Sequence, residues 1–391
     1  MKRAETGEAK TRRMKIYQIL QKRINTFVFS NLLVFLIIFL SSACNENNKS
    51  DLIPKEAILI SPDNPNYQYT GRIDFSKPKE PALFWAGTSI KARFTGSMVK
   101  IFFDDENGDN YYNVIIDKNI SNRSVIRCDK GSRIYPIVSG LENTVHQIEI
   151  VRRTDAKSAK TLFKGLLVDR GEKLIPPPER PGLKIEFYGN SITSGHGILD
   201  ESRQNNNDKS TWDNYFTYAA LTARNLNAEY HCISMSGIGL MVSSDSLIMP
   251  QIYDRLNPKD GKSKWNFSDW TPDIVVINLF QNDSWRINTL LKVPNEGEII
   301  GKYIDFVQKI RHEHPNAEIF CALGNMDVTR NDSEWPGYIE KAVEKLNNEL
   351  NDTKVYSIIF PFKYTAGHPT ISEHAIMAKR LTDFIKEKSH N

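Results

Sequence analysis

The sequence predicts an all-β domain followed by an α/β domain built on a parallel sheet, and three observations lead there. Short apolar runs separated by turn signals fill residues 55–172, the pattern of a β-sandwich or jelly roll. A proline-rich stretch, Pro176-Pro177-Pro178-Glu179-Arg180-Pro181, follows as a stiff linker over 173–181. Beyond it, buried-strand runs alternate with helical patterns over 182–391, which implies a parallel sheet covered on both faces.

Taken from the start of the 391-residue chain, the first element is an address. Residues 1–31 carry eight Lys or Arg against Glu5 and Glu8. The formal charge of +4 therefore becomes −2 once that segment is set aside, so charge gives no argument for nucleic acid. Leu32 to Leu40 is unbroken apolar sequence, short for a membrane span and suited to a signal-peptide core. Ser41-Ser42-Ala43-Cys44 resembles a bacterial lipoprotein cleavage box, although Ser41 stands where leucine is usual. On this reading 1–44 is the signal with Cys44 as lipid anchor, and 45–54 is a polar tether. An uncleaved anchor over Phe27 to Leu40 is the alternative; both put the body outside the cytoplasm, attached to a membrane.

The β domain, 55–172, is read from runs such as Ala82 to Trp85, Ser97 to Phe103, Tyr111 to Ile116, His146 to Val151 and Phe163 to Val168. Asn107-Gly108-Asp109-Asn110 and Lys130-Gly131-Ser132 mark turns between them. In the α/β domain, strands are expected at Ile185 to Tyr188, Ile274 to Leu279, Glu318 to Leu323 and Val355 to Phe360. Helices are expected at Asn214 to Leu226, Ile300 to His314, Tyr338 to Leu350 and Ile371 to Lys388. Cys232 and Cys321 lie in apolar, strand-like segments and read as buried thiols. No Cys/His cluster has zinc spacing, and no metal or cofactor is expected.

Sites in such sheets form at the carboxyl ends of strands. Ser191 follows a strand in Tyr188-Gly189-Asn190-Ser191-Ile192-Thr193, in a turn closed by Gly195 and Gly197. That turn suits a nucleophile, and equally a serine that caps a helix. It is not the Gly-x-Ser-x-Gly elbow, so an α/β-hydrolase fold is not indicated. Gly237, in Ser236-Gly237-Ile238-Gly239, lets a backbone N–H approach an anionic oxygen; a plain loop is its bland reading. Asn282 follows a strand and carries a carboxamide donor, although Asn-Asp is also a common turn. His368, before the last helix, supplies a base of near-neutral pKa. His196 is too near Ser191 in sequence to align readily, and His374 lies inside the helix and more naturally packs.

Together these blocks resemble the SGNH hydrolases, and more closely carbohydrate esterase family 2. Gly71 to Phe75 and Phe84 to Ile90 look like that family's β domain. Ile185 to Thr193, Trp270 to Leu279 and Gly367-His368-Pro369 look like its serine, asparagine and histidine blocks. The resemblance implies a jelly-roll domain joined to a flavodoxin-like, three-layer SGNH domain. It also implies removal of acetyl groups from plant polysaccharide of the xylan or mannan class, without a metal. Ser191 is then the nucleophile and His368 the base, with the oxyanion held by Ser191, Gly237 and Asn282. The sequence departs from the pattern twice. Thr365 stands where the superfamily often has aspartate, which implies a Ser-His dyad oriented by a backbone carbonyl. Phe280-Gln281 replaces a usual Gly-Thr before Asn282. Trp285, and Trp335 in a loop over 332–337, are candidate platforms for an acetylated polysaccharide or oligosaccharide. A lipase or thioesterase, and a non-catalytic carbohydrate-binding lipoprotein, are the rival readings.

Overall fold

Alternation in the β region has a direct structural result: inward residues from two sheets meet in one apolar layer. The computed structural model describes residues 53–204 and 207–389. The expected signal, Cys44 and most of the tether lie outside the described residues. Two six-stranded sheets form the β region. In one, Val99–Asp105 pairs antiparallel with Thr161–Asp169 and with Gly131–Val138. In the other, Thr144–Arg152 pairs antiparallel with Ser89–Gly96 and Tyr111–Ile116. Phe94, Phe103, Tyr112 and Phe163 are buried between the sheets. This is the jelly-roll-like architecture expected from the sequence.

The α/β region holds a five-stranded parallel sheet. Its strands run, across the sheet, Ala228–Ser234, Leu183–Gly189, Ile274–Asn278, Glu318–Leu323 and Val355–Ile359. In chain order that is 2-1-3-4-5, the flavodoxin-like doubly wound order, whose switch point lies between the first and third strands. Four strands match the expected runs closely. The fifth, Ala228–Ser234, is read in the sequence only as a strand-like segment around Cys232, because Glu229, His231 and Ser234 break its apolar run. Helices Tyr218–Asn225, Glu296–Glu313, Trp335–Asn348 and Ile371–Ser389 supply the flanking layers. Asn214 to Phe216, expected as helix, is a 3-10 turn, and Asn295 starts the Glu296–Glu313 helix earlier than expected through a capping box with Glu298.

The proline stretch is docked rather than free. Leu174–Ile175 pairs with the Ser89–Gly96 strand, so β structure runs past residue 172. Gln68 donates to the Pro178 carbonyl at 3.0 Å, and Arg180 pairs with Glu229. Ala82, Phe84, Trp85 and Ala156 of the β region share a core with the α/β layer. Residues Ile58–Asn391 accordingly form one unit. Cys128, Cys232 and Cys321 are buried free thiols.

Candidate active site

Three of the five parallel strands end next to one another at the switch point, and each carries a site residue on its carboxyl end. Strand Leu183–Gly189 leads through Asn190 into Ser191, the first residue of the short helix Ser191–Ser194. Asn190, not Ser191, is the capping residue: its side chain accepts from Ile192 N–H at 3.0 Å. The Ser191 carbonyl accepts from Gly195 and His196 at 3.0 and 3.1 Å. The backbone of Ser191 is thereby fixed, and its side chain is left to face the base.

The candidate base is 177 residues away in sequence. His368 Nε2 lies 2.9 Å from Ser191 Oγ, within reach for proton transfer. Basic side chains hold the histidine loop. Arg203 donates to the His368 carbonyl at 3.2 Å. Lys363 donates to the carbonyls of Thr365 and Ala366 at 2.7 and 3.1 Å. The Thr365 hydroxyl, at the superfamily's usual aspartate position, accepts from Lys363 and donates to Glu373. Burial lowers the His368 pKa well below its ordinary value, and nearby His196, Lys363 and His374 push the same way. The imidazole is therefore neutral, as a base must be.

The second strand, Ala228–Ser234, runs out into Met235-Ser236-Gly237. Gly237 has φ +78°. A Cβ there would stand 1.9 Å from Ser244 Oγ and 3.3 Å from Lys157 Nζ, so only glycine fits. The third strand, Ile274–Asn278, leads to Asn282 in the helix Gln281–Arg286. One N–H of the Asn282 carboxamide is bonded to the Ile238 carbonyl at 2.8 Å, which ties the asparagine to the glycine segment. Asp283 accepts from the N–H groups of Leu240, Met241 and Val242 at 2.7 to 3.1 Å and fixes the same segment from its far side.

Phe280 explains one departure from the family pattern. It has φ +75°, the left-handed conformation for which glycine is usual. Its ring is fully buried against Tyr303 and Trp335, with centroids 5.0 Å from each. Ring burial, worth roughly 1.5–3 kcal/mol, offsets a backbone cost of about 1–2 kcal/mol.

The other expectations divide. His196 is closer to the chemistry than its sequence position suggests. Its ring packs on His368 at 4.5 Å and on Trp212 at 4.4 Å, and its Nδ1 lies 3.2 Å from Ser236 Oγ. His374 is structural: its Nδ1 accepts from Tyr218 N–H at 3.0 Å. Trp285, one turn beyond Asn282, is 48% exposed, and its indole donates to Asp327 at 2.6 Å. Trp335 lies in no loop. It opens the helix Trp335–Asn348 and packs half-buried against Phe280 and Tyr338. Arg203, Asp283 and Asp155 escaped sequence reasoning because each acts on partners remote in the chain; Lys363 escaped it because it acts on nearby backbone carbonyls, which leave no mark in sequence. Only Asp283, adjacent to Asn282, had a signal that would have found it.

Comparisons with known proteins agree with this architecture. Residues 69–178 match the carbohydrate esterase 2 N-terminal family. A cellulase/esterase, CelE, of Acetivibrio thermocellus is 32% identical over 335 residues, covering 83% of this chain. The chain spans 40% of that relative's length. An acetylxylan esterase / glucomannan deacetylase of Cellvibrio japonicus is 25% identical, over 88% of this chain and 94% of its own length. Among solved structures, a family two carbohydrate esterase from Clostridium thermocellum in complex with cellohexaose superposes with a TM-score of 0.76. It is 30% identical and matches 83% of this chain and 99% of its own. Identity of that order over nearly the whole of a solved relative establishes the lineage: the chain belongs to carbohydrate esterase family 2, a family of carboxylic ester hydrolases on the SGNH-hydrolase fold.

Proposed function

We propose that this protein is an O-acetyl esterase acting on an acetylated plant-type polysaccharide of the xylan or mannan class, through Ser191 and His368. The observation that carries the reading is the 2.9 Å contact between His368 Nε2 and Ser191 Oγ, at the strand ends where Gly237 and Asn282 are tied together. Ser191 Oγ attacks the acetyl carbonyl while His368 Nε2 takes its proton. The N–H groups of Ser191 and Gly237 and the free N–H of the Asn282 carboxamide receive the oxyanion. His368 then protonates the departing sugar oxygen, leaving an acetyl-enzyme. Water, deprotonated by the same imidazole, releases acetate and restores the serine. Each oxyanion donor is worth about 100- to 1000-fold in rate. A backbone carbonyl orients the imidazole in this reading, since Thr365 carries no charge.

The activities of the relatives, an acetylxylan esterase / glucomannan deacetylase and a cellulase/esterase, support a polysaccharide substrate. Trp285 is the aromatic platform in this reading, half exposed and one helical turn from Asn282. The test is acetate release from acetylated xylan and acetylated glucomannan, set beside hydrolysis of long-chain aryl esters. Acetate from either glycan, with the long-chain esters poor, is expected; preference for long acyl chains would make the protein a lipase instead. Trp285→Ala should lose far more activity on the glycan than on a small aryl acetate, because only the polymer uses remote binding energy.

A further inference from the structure

The segment carrying Gly237 has no regular structure of its own between the strand end at Ser234 and the short helix at Met249. An oxyanion hole works because its donors are already in place when charge develops, so something outside the segment must hold it. Asp283 does so beyond the glycine, at Leu240 to Val242. Before the glycine the holder is a side chain from the β region. Asp155 is fully buried, and its Oδ2 accepts from the Ser236 N–H at 2.7 Å.

We propose that Asp155 is a positioning residue of the esterase site, supplied by the β region, which fixes the Met235–Ser236 peptide, one unit before the glycine, so that the Gly237 N–H points at the oxyanion. The proposal rests on the reading of Gly237 as an oxyanion donor.

Its support is the rigidity on both sides of that hydrogen bond. Asp155 sits in the loop between strands Thr144–Arg152 and Thr161–Asp169. The buried Arg152 guanidinium staples this loop, donating to the carbonyls of Leu83, Thr154 and Ala159 at 2.8 to 3.1 Å. Arg153 fastens it to the α/β layer through the carbonyls of Trp212 and Ser210, at 2.9 and 2.7 Å. Asp155 Oδ1 accepts from the Lys157 N–H at 2.9 Å, which sets the carboxylate plane. Lys157 then reaches the other side of the glycine: its ammonium donates to Ser244 Oγ at 3.2 Å, and Ser244 N–H donates to the Gly237 carbonyl at 2.8 Å. The loop therefore holds the glycine segment at the Ser236 N–H before Gly237 and, through Ser244, at the Gly237 carbonyl. A charge-assisted bond to a buried carboxylate is short and strong, and suits this task. The same contact orients Ser236, whose hydroxyl meets His196, whose ring in turn packs on His368.

The experiment measures kcat and KM on an aryl acetate for Asp155→Ala, Asp155→Asn and Gly237→Ala, per active site titrated with a serine-directed phosphonate. Thermal unfolding is recorded alongside. Asp155→Ala should lose roughly 10- to 100-fold in kcat with KM within about threefold, the size expected when a reacting group is misplaced by about an ångström. Asp155→Asn keeps an oxygen for the Ser236 N–H and should recover most of that loss. If Asp155→Ala does not fold, the Asp155→Ser variant, too short to reach Ser236, takes its place. Equal losses in the asparagine and alanine variants overturn the proposal. So does a lowered unfolding temperature with parent-like kcat per titrated site. Gly237→Ala separates this claim from the reading beneath it. Parent-like kcat there removes the oxyanion assignment and the proposal with it. A large loss there, with parent-like Asp155→Ala, overturns the role of Asp155 alone.

Discussion

A histidine is an effective base only while it is neutral, and the surroundings of His368 keep it so. Burial is the largest influence, and the nearby cationic and imidazole groups of Lys363, His196 and His374 add to it. On the titration His196 counts as well, since its own pKa is lowered by burial and by Lys157 while Asp155 opposes them. The sign follows directly. With His368 as the proposed base, activity requires the neutral imidazole, and a depressed pKa moves its loss to lower pH. The acid limb of kcat/KM should therefore have its midpoint below about 6.5, the ordinary histidine value. A pH–rate profile checks this, and a midpoint at or above about 7 contradicts it. At this scale the sequence was most legible for groups that do chemistry. Serine, histidine and asparagine were readable because few side chains supply a nucleophile, a neutral base or a carboxamide donor. Arg203 and Lys363 were not, because they act on carbonyls of the histidine loop, and a backbone acceptor leaves no mark in sequence.

The parallel strands were readable as apolar runs, yet what positions the site lies between them. Ala228–Ser234 pairs with Leu183–Gly189 through seven residue pairs, although its polar residues hid it. Its outer position, with a neighbour on one side only, tolerates them. The loop that leaves it was plain turn sequence, and adjacency to Asn282 was the one local sign that Asp283 acts there. Removing that carboxylate orphans the N–H groups of Leu240, Met241 and Val242. Each unsatisfied buried donor costs about 1–3 kcal/mol. Asp283→Ala should therefore be destabilised by at least about 3 kcal/mol in denaturant unfolding and lose esterase activity with it. A variant within about 1 kcal/mol of the parent would show that the loop is held by other contacts.

At the scale of the whole molecule, the β and α/β regions are joined by a buried ion pair. Arg72, from the β region, donates to Glu186 at 2.8 Å and to Tyr188 at 2.9 Å, and to the Tyr253 carbonyl. Both charged side chains are essentially inaccessible. Burial pushes the Glu186 carboxyl up, but Arg72, the His231 ring 3.7 Å away and the His314 imidazole at 3.3 Å outweigh it and hold it well below the ordinary range. A depressed carboxyl pKa contributes stability above the unfolded value, about 4.3, and loses it as pH falls through the folded value. Removing one partner of a buried pair leaves an uncompensated charge and costs about 3–5 kcal/mol. Arg72→Leu should show that loss in urea unfolding, and Arg72→Leu with Glu186→Leu should recover much of it. Equal instability of the single and double variants would mean that packing, not charge, joins the regions. The two-part architecture was legible in the change of apolar period near residue 175. Its union was not: Glu186 sits inside an otherwise apolar strand, and its partner lies 114 residues earlier.

The proposed chemistry depends on Ser191 as the nucleophile and His368 as its base. The most direct test is covalent. An aryl acetylphosphonate or fluorophosphonate should add one phosphonyl group to the protein, and peptide mapping should place it on Ser191. Ser191→Ala should take up none and release no acetate from acetylated glycan, while unfolding like the parent. His368→Ala should be labelled far more slowly. Labelling at another residue, or acetate release by folded Ser191→Ala within a few-fold of the parent, would contradict the account.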